Sequence, residues 1–245
     1  MSLKSSVRLL AAAVVLAAPV GAQTLQTTAG TPFYAPAIGN FSTLGNNLFG
    51  MLVTGRFSDG QVFSANWADL GGGLTGVNFG GRFSMTLGAT SNTWDSPFTL
   101  TVFGTSNTLR SLTLNGAPGP VIFDRTFGGT VGTAQSASGR DFAYVGTTDL
   151  WNTLITYTNA VRMVGTTAAV GDIYETMQIE FRNALTGTAT GRQVAFTQDL
   201  DNIITGGLLL PVPEPSAMLL TVAGLSMLGL VVRRRQLIAA RARLG

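Results

Sequence analysis

Between residues 23 and 210 the apolar side chains recur at every second position, in runs too short for a sustained helical period. Phe83-Ser84-Met85-Thr86-Leu87, Phe98–Val102, Leu112-Thr113-Leu114 and Met177-Gln178-Ile179-Glu180-Phe181 each carry apolar residues on one parity and polar residues on the other. A pleated strand sends successive side chains to opposite faces, so each run buries one face and wets the other. Turn signals separate them: Gly71-Gly72-Gly73, Asn115-Gly116, Gly128-Gly129 and Gly187. Short alternating runs between glycine breaks predict an all-β ectodomain, an antiparallel β-sandwich or jelly-roll-like domain, over residues 23–210.

The pattern changes at both ends. Lys4 and Arg8 precede an apolar run over residues 9–20, and Val20-Gly21-Ala22 supplies the small residues that signal peptidase accepts. This order predicts a signal peptide over residues 1–22, cut between Ala22 and Gln23. Near the other end, residues 216–232 carry no charge; as a helix they would span about 26 Å, close to the roughly 30 Å of a bilayer core. Arg233, Arg234 and Arg235 follow as a membrane-stop cluster held on the cytoplasmic side, which leaves the preceding chain outside. In front of the predicted helix stands Pro211-Val212-Pro213-Glu214-Pro215. Prolines on both sides of Glu214 hold the backbone extended and remove amide donors, so the carboxylate is presented on a stiff stem at the membrane surface. The expected organisation is signal peptide 1–22, ectodomain 23–210 and a C-terminal segment 211–245 made of motif, transmembrane helix, arginine cluster and tail.

Charge looks different once it is placed along the chain. The 245 residues carry a net charge of +3, which alone would suggest a polyanionic partner. Lys4, Arg8, Arg233, Arg234, Arg235, Arg241 and Arg243 lie in the terminal segments, however, and residues 23–210 hold eight Arg against nine Asp and two Glu, a net −3. A mildly acidic ectodomain is not expected to bind nucleic acid. There is no Cys and no His, and Lys4 is the only Lys. Those absences exclude Cys and His nucleophiles, His or Cys zinc sites, a Lys Schiff base and a phosphate-binding P-loop lysine.

Few constellations for chemistry remain. Gly71-Gly72-Gly73-Leu74-Thr75-Gly76 matches the dinucleotide pattern GxGxxG, but Val77-Asn78-Phe79-Gly80-Gly81 follows where a helix should start, so a loop is expected. Glu175 and Glu180 are the only glutamates of the ectodomain; five positions apart on one strand, they would point to opposite faces and not form the facing pair of a glycosidase. Asp199, Asp201 and Asn202 gather hard oxygen donors suited to calcium, yet lack a third acid and the glycine of a calcium loop, and a turn is preferred. Trp67, Trp94, Trp151, Tyr34, Tyr144, Tyr157 and Tyr174 are either a sugar-stacking platform or core. No catalytic residue, metal ligand or cofactor is assigned.

Val212-Pro213-Glu214-Pro215-Ser216, the apolar run 217–232 and Arg233-Arg234-Arg235 together resemble the sorting signal of the PEP-CTERM family of exosortase substrates. The resemblance covers about the last tenth of the chain and implies an exosortase-bearing, Gram-negative-type bacterium. It also implies cleavage near the motif and release or attachment at the cell surface, often in an exopolysaccharide matrix. A looser resemblance to ectodomains of such proteins rests on Val121-Ile122-Phe123-Asp124, Gly171-Asp172-Ile173-Tyr174 and Phe196-Thr197-Gln198-Asp199-Leu200-Asp201-Asn202, and it implies no activity. The expected protein is a non-enzymatic exported surface or matrix component. Its partners would be signal peptidase and exosortase, the membrane before processing, and exopolysaccharide. A carbohydrate-binding module and a carboxylate-based glycosidase are the alternatives.

Overall fold

Strand β8 (Phe83–Gly88) buries every second residue, with Phe83, Met85 and Leu87 inward and Ser84, Thr86 and Gly88 half-exposed, as its alternation dictates. The computed structural model describes residues 23–40, 42–125, 139–146, 152–164 and 169–203. By its contacts the chain divides into Met1–Ile204 and Thr205–Gly245, and every described residue belongs to the first unit. Among the described residues the regular elements are sixteen strands, numbered in chain order, and one 3-10 turn, Gly45–Leu48.

One sheet has ten strands: β1 (Thr24–Thr27), β2 (Phe33–Ala35), β3 (Ile38–Asn40), β4 (Leu52–Phe57), β5 (Val62–Asn66), β10 (Thr108–Asn115), β11 (Val121–Asp124), β13 (Thr153–Met163), β14 (Ala169–Thr186) and β16 (Asp199–Ile203). The other has six: β6 (Ala68–Gly71), β7 (Leu74–Asn78), β8, β9 (Phe98–Val102), β12 (Ala143–Val145) and β15 (Arg192–Thr197). Pairing is antiparallel except where β1 and β2 lie parallel against β13. Strands β6 to β9 follow one another as an antiparallel meander within the smaller sheet.

The long strand β14 sets the plan of the larger sheet. One edge pairs with β13, while the other is shared end to end, by β11 at Ile173 and Tyr174 and by β10 from Thr176 to Thr186. From there the sheet forks. One branch runs β10, β4, β5; the other runs β11, β16, β3.

Both sheets bury their apolar parity in one core. Phe57, Leu112, Leu114, Phe123, Ile179 and Phe181 of the larger sheet pack with Phe83, Met85, Phe98, Leu100 and Phe196 of the smaller. A second, smaller cluster of Ala35, Ile122, Val161, Val170, Ile173 and Ile203 forms beside it. Alternation places Val121 and Phe123 of β11 in the first cluster and Ile122 in the second. All four residues of β11 are therefore buried, including its final acid, Asp124.

The glycine motif that matches a dinucleotide pattern is a hairpin. Gly71 of β6 pairs with Leu74 of β7, and Gly72 and Gly73 turn the chain at φ of 63° and 79°, where glycine is unstrained. Gly128-Gly129, Ala22, the Val212-Pro213-Glu214-Pro215 motif, the predicted helix 216–232 and Arg233, Arg234 and Arg235 lie outside the described residues. Among the described residues no helix is long and apolar enough to cross a membrane.

Candidate metal centre

Asp124 ends β11 and Asp199 begins β16, and the antiparallel register sets them directly opposite each other. Asp201 lies two positions on, opposite Ile122. The two-residue period then puts all three acids on one face of the β11–β16 ladder, the face of Ile122 and Ile203, while Phe123 and Leu200 point into the main core. One carboxylate oxygen from each of Asp124, Asp199 and Asp201 lies within 4.8 Å of the other two. The three side chains are 0%, 1% and 0% exposed.

This is an expensive arrangement for three bare carboxylates. At 4.8 Å two unit charges repel by about 3 kcal/mol at an effective dielectric of about 20. Burial adds the loss of hydration, for which hydrogen bonds would normally compensate. No donor stands in full hydrogen-bond geometry to either oxygen of Asp199 or of Asp201. The Asp124 carboxyl lies within reach of Asp201 and can bond it only when a proton sits between the two acids. Burial, reinforced by the neighbouring Asp124 charge, pushes Asp199 up to about 8; the Leu200 amide, the Thr93 hydroxyl and the Arg140 charge oppose that rise only in part. Asp201 is pushed up to about 7 by burial and then by Asp199, with Asp172 adding to the repulsion.

The main chain under the acids is firmly held. Gln198, in the link between β15 and β16, points its amide nitrogen at the carbonyl oxygens of Asp124 and Asp199, 2.9 Å from each, and of Arg140 at 3.1 Å. Its own carbonyl accepts from the buried Tyr157 hydroxyl. On the carboxylate side, a Cβ added to Gly139 would stand 2.5 Å from Asp124 Oδ1 and would also strike the Arg125 carbonyl, so only glycine lets that segment pass. The acids are thus fixed by strand pairing and a buried amide, with the oxygens of Asp199 and Asp201 lacking a donor in hydrogen-bond geometry.

No family model, no curated protein and no solved structure matches this chain.

The other sequence-predicted candidates go to different places. Asp199 and Asp201 are not in a turn: Leu200 and Ile203 draw the segment into the core as β16, and pairing with β11 outweighs the turn preference of Asp and Asn. Asn202 falls on the opposite parity, paired with Val121 and Asn40, away from the acids. Glu175 and Glu180 both lie on β14; Glu175 accepts from Asn159 Nδ2 at 2.7 Å, while Glu180 is exposed on the other face. Trp67 is 1% exposed and packs edge-on against Phe98, which stacks on Phe196, which stacks on Phe142. Tyr144 meets Phe142 edge-on, Tyr157 is buried, and Tyr174 and Trp94 are half-buried. Tyr34 alone of the described Trp and Tyr residues is exposed, and Trp151 lies outside the described residues.

Asp124 is the member that residue-by-residue reasoning does not find, being 75 positions upstream of Asp199. Its signal is indirect. Asp124, Asp172, Asp199 and Asp201 sit within the three short motifs that carry the looser family resemblance, and the fold brings those motifs to adjacent strands.

Proposed function

We propose that the chain is an exported cell-surface or matrix protein of a Gram-negative-type bacterium, without enzymatic activity, whose β-sandwich ectodomain is the cargo of a PEP-CTERM sorting signal. The carrying observation is the order at the C-terminus: Val212-Pro213-Glu214-Pro215, an uncharged run over residues 216–232, then Arg233-Arg234-Arg235. Signal peptidase cuts between Ala22 and Gln23, and exosortase cuts near Glu214. The fold is compatible with both cuts. Strand β1 starts at Thr24 and β16 ends at Ile203, so neither cut removes a described strand. Gln23 itself is used, its side-chain amide donating to the Phe142 carbonyl at 2.7 Å.

Intact-mass analysis of the exported protein tests this. The expected mature chain begins at Gln23 and lacks everything from about residue 216; a mature chain that still carries Arg233 overturns the sorting reading. Glu214→Ala is expected to hold the protein in the membrane.

A second reading, binding of acidic exopolysaccharide, has one observation in its favour. Arg56 of β4, Ser111 of β10 and Glu180 of β14 stand in one register row, and with Arg110, Gln178 and Arg182 they line a surface cleft. Arg56, Arg110 and Arg182 are exposed and make no ion pair among the described residues. Guanidinium groups suit carboxylate or sulfate on a sugar chain. Retention on immobilised acidic polysaccharide, lost on replacing the three arginines with Gln, supports this reading; retention unchanged by those replacements counts against it.

A further inference from the structure

We propose that Asp124, Asp199 and Asp201 bind one divalent cation, calcium, which ties β11 to β16. The inference does not depend on the sorting reading. Two oxygens that share a calcium ion at 2.3 to 2.6 Å lie at most about 5 Å apart, and the three carboxylates meet that limit within 4.8 Å. Proximity among acids is common at surfaces, where water solvates them. Here a second observation adds to it: Asp199 and Asp201 are 1% and 0% exposed, and none of their four carboxylate oxygens has a donor in hydrogen-bond geometry, the Leu200 amide near Asp199 donating to the Thr93 hydroxyl and that hydroxyl to the Leu200 carbonyl. Buried polar atoms are almost always partnered, and two adjacent side chains orphaned at every oxygen, both aimed at a third acid, leave a place for a cation.

The chemistry of the donors selects the ion. All three are hard oxygens, and the chain has neither His nor Cys to attract zinc or copper. Magnesium holds several waters of its own and demands near-ideal octahedral geometry, whereas calcium tolerates irregular cages rich in carboxylate. A buried site that supplies three carboxylates from two strands suits calcium better. Three acids and one calcium leave a formal −1, and the field of Arg140 acts on Asp199 to offset part of it. The ion would replace mutual repulsion across the β11–β16 ladder with attraction, at the point where this branch leaves β14. The branch would then close fully only in a calcium-bearing medium.

The test uses the full chain, purified in detergent, freed of metal with EDTA and dialysed to pH 8. Equilibrium dialysis with radioactive calcium is expected to show one saturable ion per chain, and calcium to raise the melting temperature while magnesium at equal concentration does not. Asp201→Asn and Asp199→Asn are each expected to weaken calcium binding on the order of 100-fold or more, because each removes a charged ligand. Either variant is expected to melt no lower than the metal-free parent, since repulsion is relieved. Absence of saturable calcium binding by a chain with a folded β-type spectrum overturns the proposal. So does binding that survives both substitutions, and an equal response to magnesium overturns the choice of ion. Should one variant fail to fold, the other variant and the wild-type stoichiometry still decide.

Discussion

The Tyr157 hydroxyl, at the centre of β13, donates its hydrogen bond to the Gln198 side-chain carbonyl beneath the acid cluster, and so links the main core to the candidate metal centre. Burial pushes the pKa of this phenol well up, which keeps it a protonated donor. The same oxygen accepts from the Phe142 amide at 3.3 Å, and Gln198 supports the carbonyl groups of both Asp124 and Asp199. Tyr157→Phe strands a buried acceptor and a buried amide at once. It is expected to cost about 1 to 3 kcal/mol, read from urea denaturation. Gln198→Leu is expected to cost more and also to weaken calcium binding, because the carbonyls that set the spacing of Asp124 and Asp199 lose their donor.

Stability of the calcium-free protein is expected to fall as pH rises. Asp199 and Asp201 move from an ordinary value of 3.8 up to about 8 and about 7 in the fold. A folded-state pKa above the unfolded one means that the folded chain holds protons the unfolded chain has released. The stabilisation is complete below pH 3.8 and is lost as pH climbs through 7 to 8. Burial is the main cause; repulsion by Asp124 on Asp199 and by Asp172 on Asp201 strengthens the trend, while the Asp124 hydrogen bond to Asp201 and the Arg140 charge near Asp199 weaken it. Melting temperatures in EDTA should therefore drop between pH 5 and pH 8.5, and calcium should reverse the drop by competing with the protons. A profile in EDTA that is flat across this range would show that the two acids are not held in the buried environment described.

Phe83 of the smaller sheet packs directly against the larger one. It is fully buried, stacks on Phe79 at 4.7 Å and lies against Phe57 at 5.9 Å. Phe83→Ala is expected to cost about 3 to 5 kcal/mol. From the facing sheet, Gly55 leaves room for the ring, and a Cβ there would stand 2.6 Å from Phe83 Cε1. Gly55→Ala is expected to cost about 1 to 3 kcal/mol by overpacking. Chemical denaturation of both variants measures the two costs, and neither should alter calcium stoichiometry, because Phe83 and Gly55 belong to the main core and not to the acid face.

How much of this was legible in the sequence depended on whether the information was local. The runs at Phe83, Phe98, Leu112 and Met177 announced their strands because alternation is a property of neighbours, and the structure places each in a strand. Trp67 could not be sorted into core or platform from its own surroundings, because the answer lies in Phe98, on a strand well downstream in the chain. Asp199 and Asp201 invited a turn for the same reason: their local chemistry favours one, and the pairing with Val121–Asp124 that makes them a strand lies far upstream. The acid triad is a product of that pairing. No spacing rule within a single segment would have brought Asp124 to Asp199.

Asp172 separates charge from ligation in the proposed site. It is 1% exposed on β14, one position from Ile173, which pairs with Asp124, and its charge is felt by Asp201. Its oxygens are not in the group that lies within 4.8 Å. As a neighbouring charge, Asp172 should help to hold a cation by field alone, so Asp172→Asn is expected to weaken calcium binding by about tenfold or less. The same substitution should leave the stoichiometry at one ion and ease the pH-dependent loss of stability in EDTA, because one source of repulsion on Asp201 is gone. If Asp172 were itself a ligand, its loss would match that of Asp201→Asn. Calcium titrations of the two variants side by side, at one pH and one ionic strength, distinguish a charge that attracts the ion from a group that touches it.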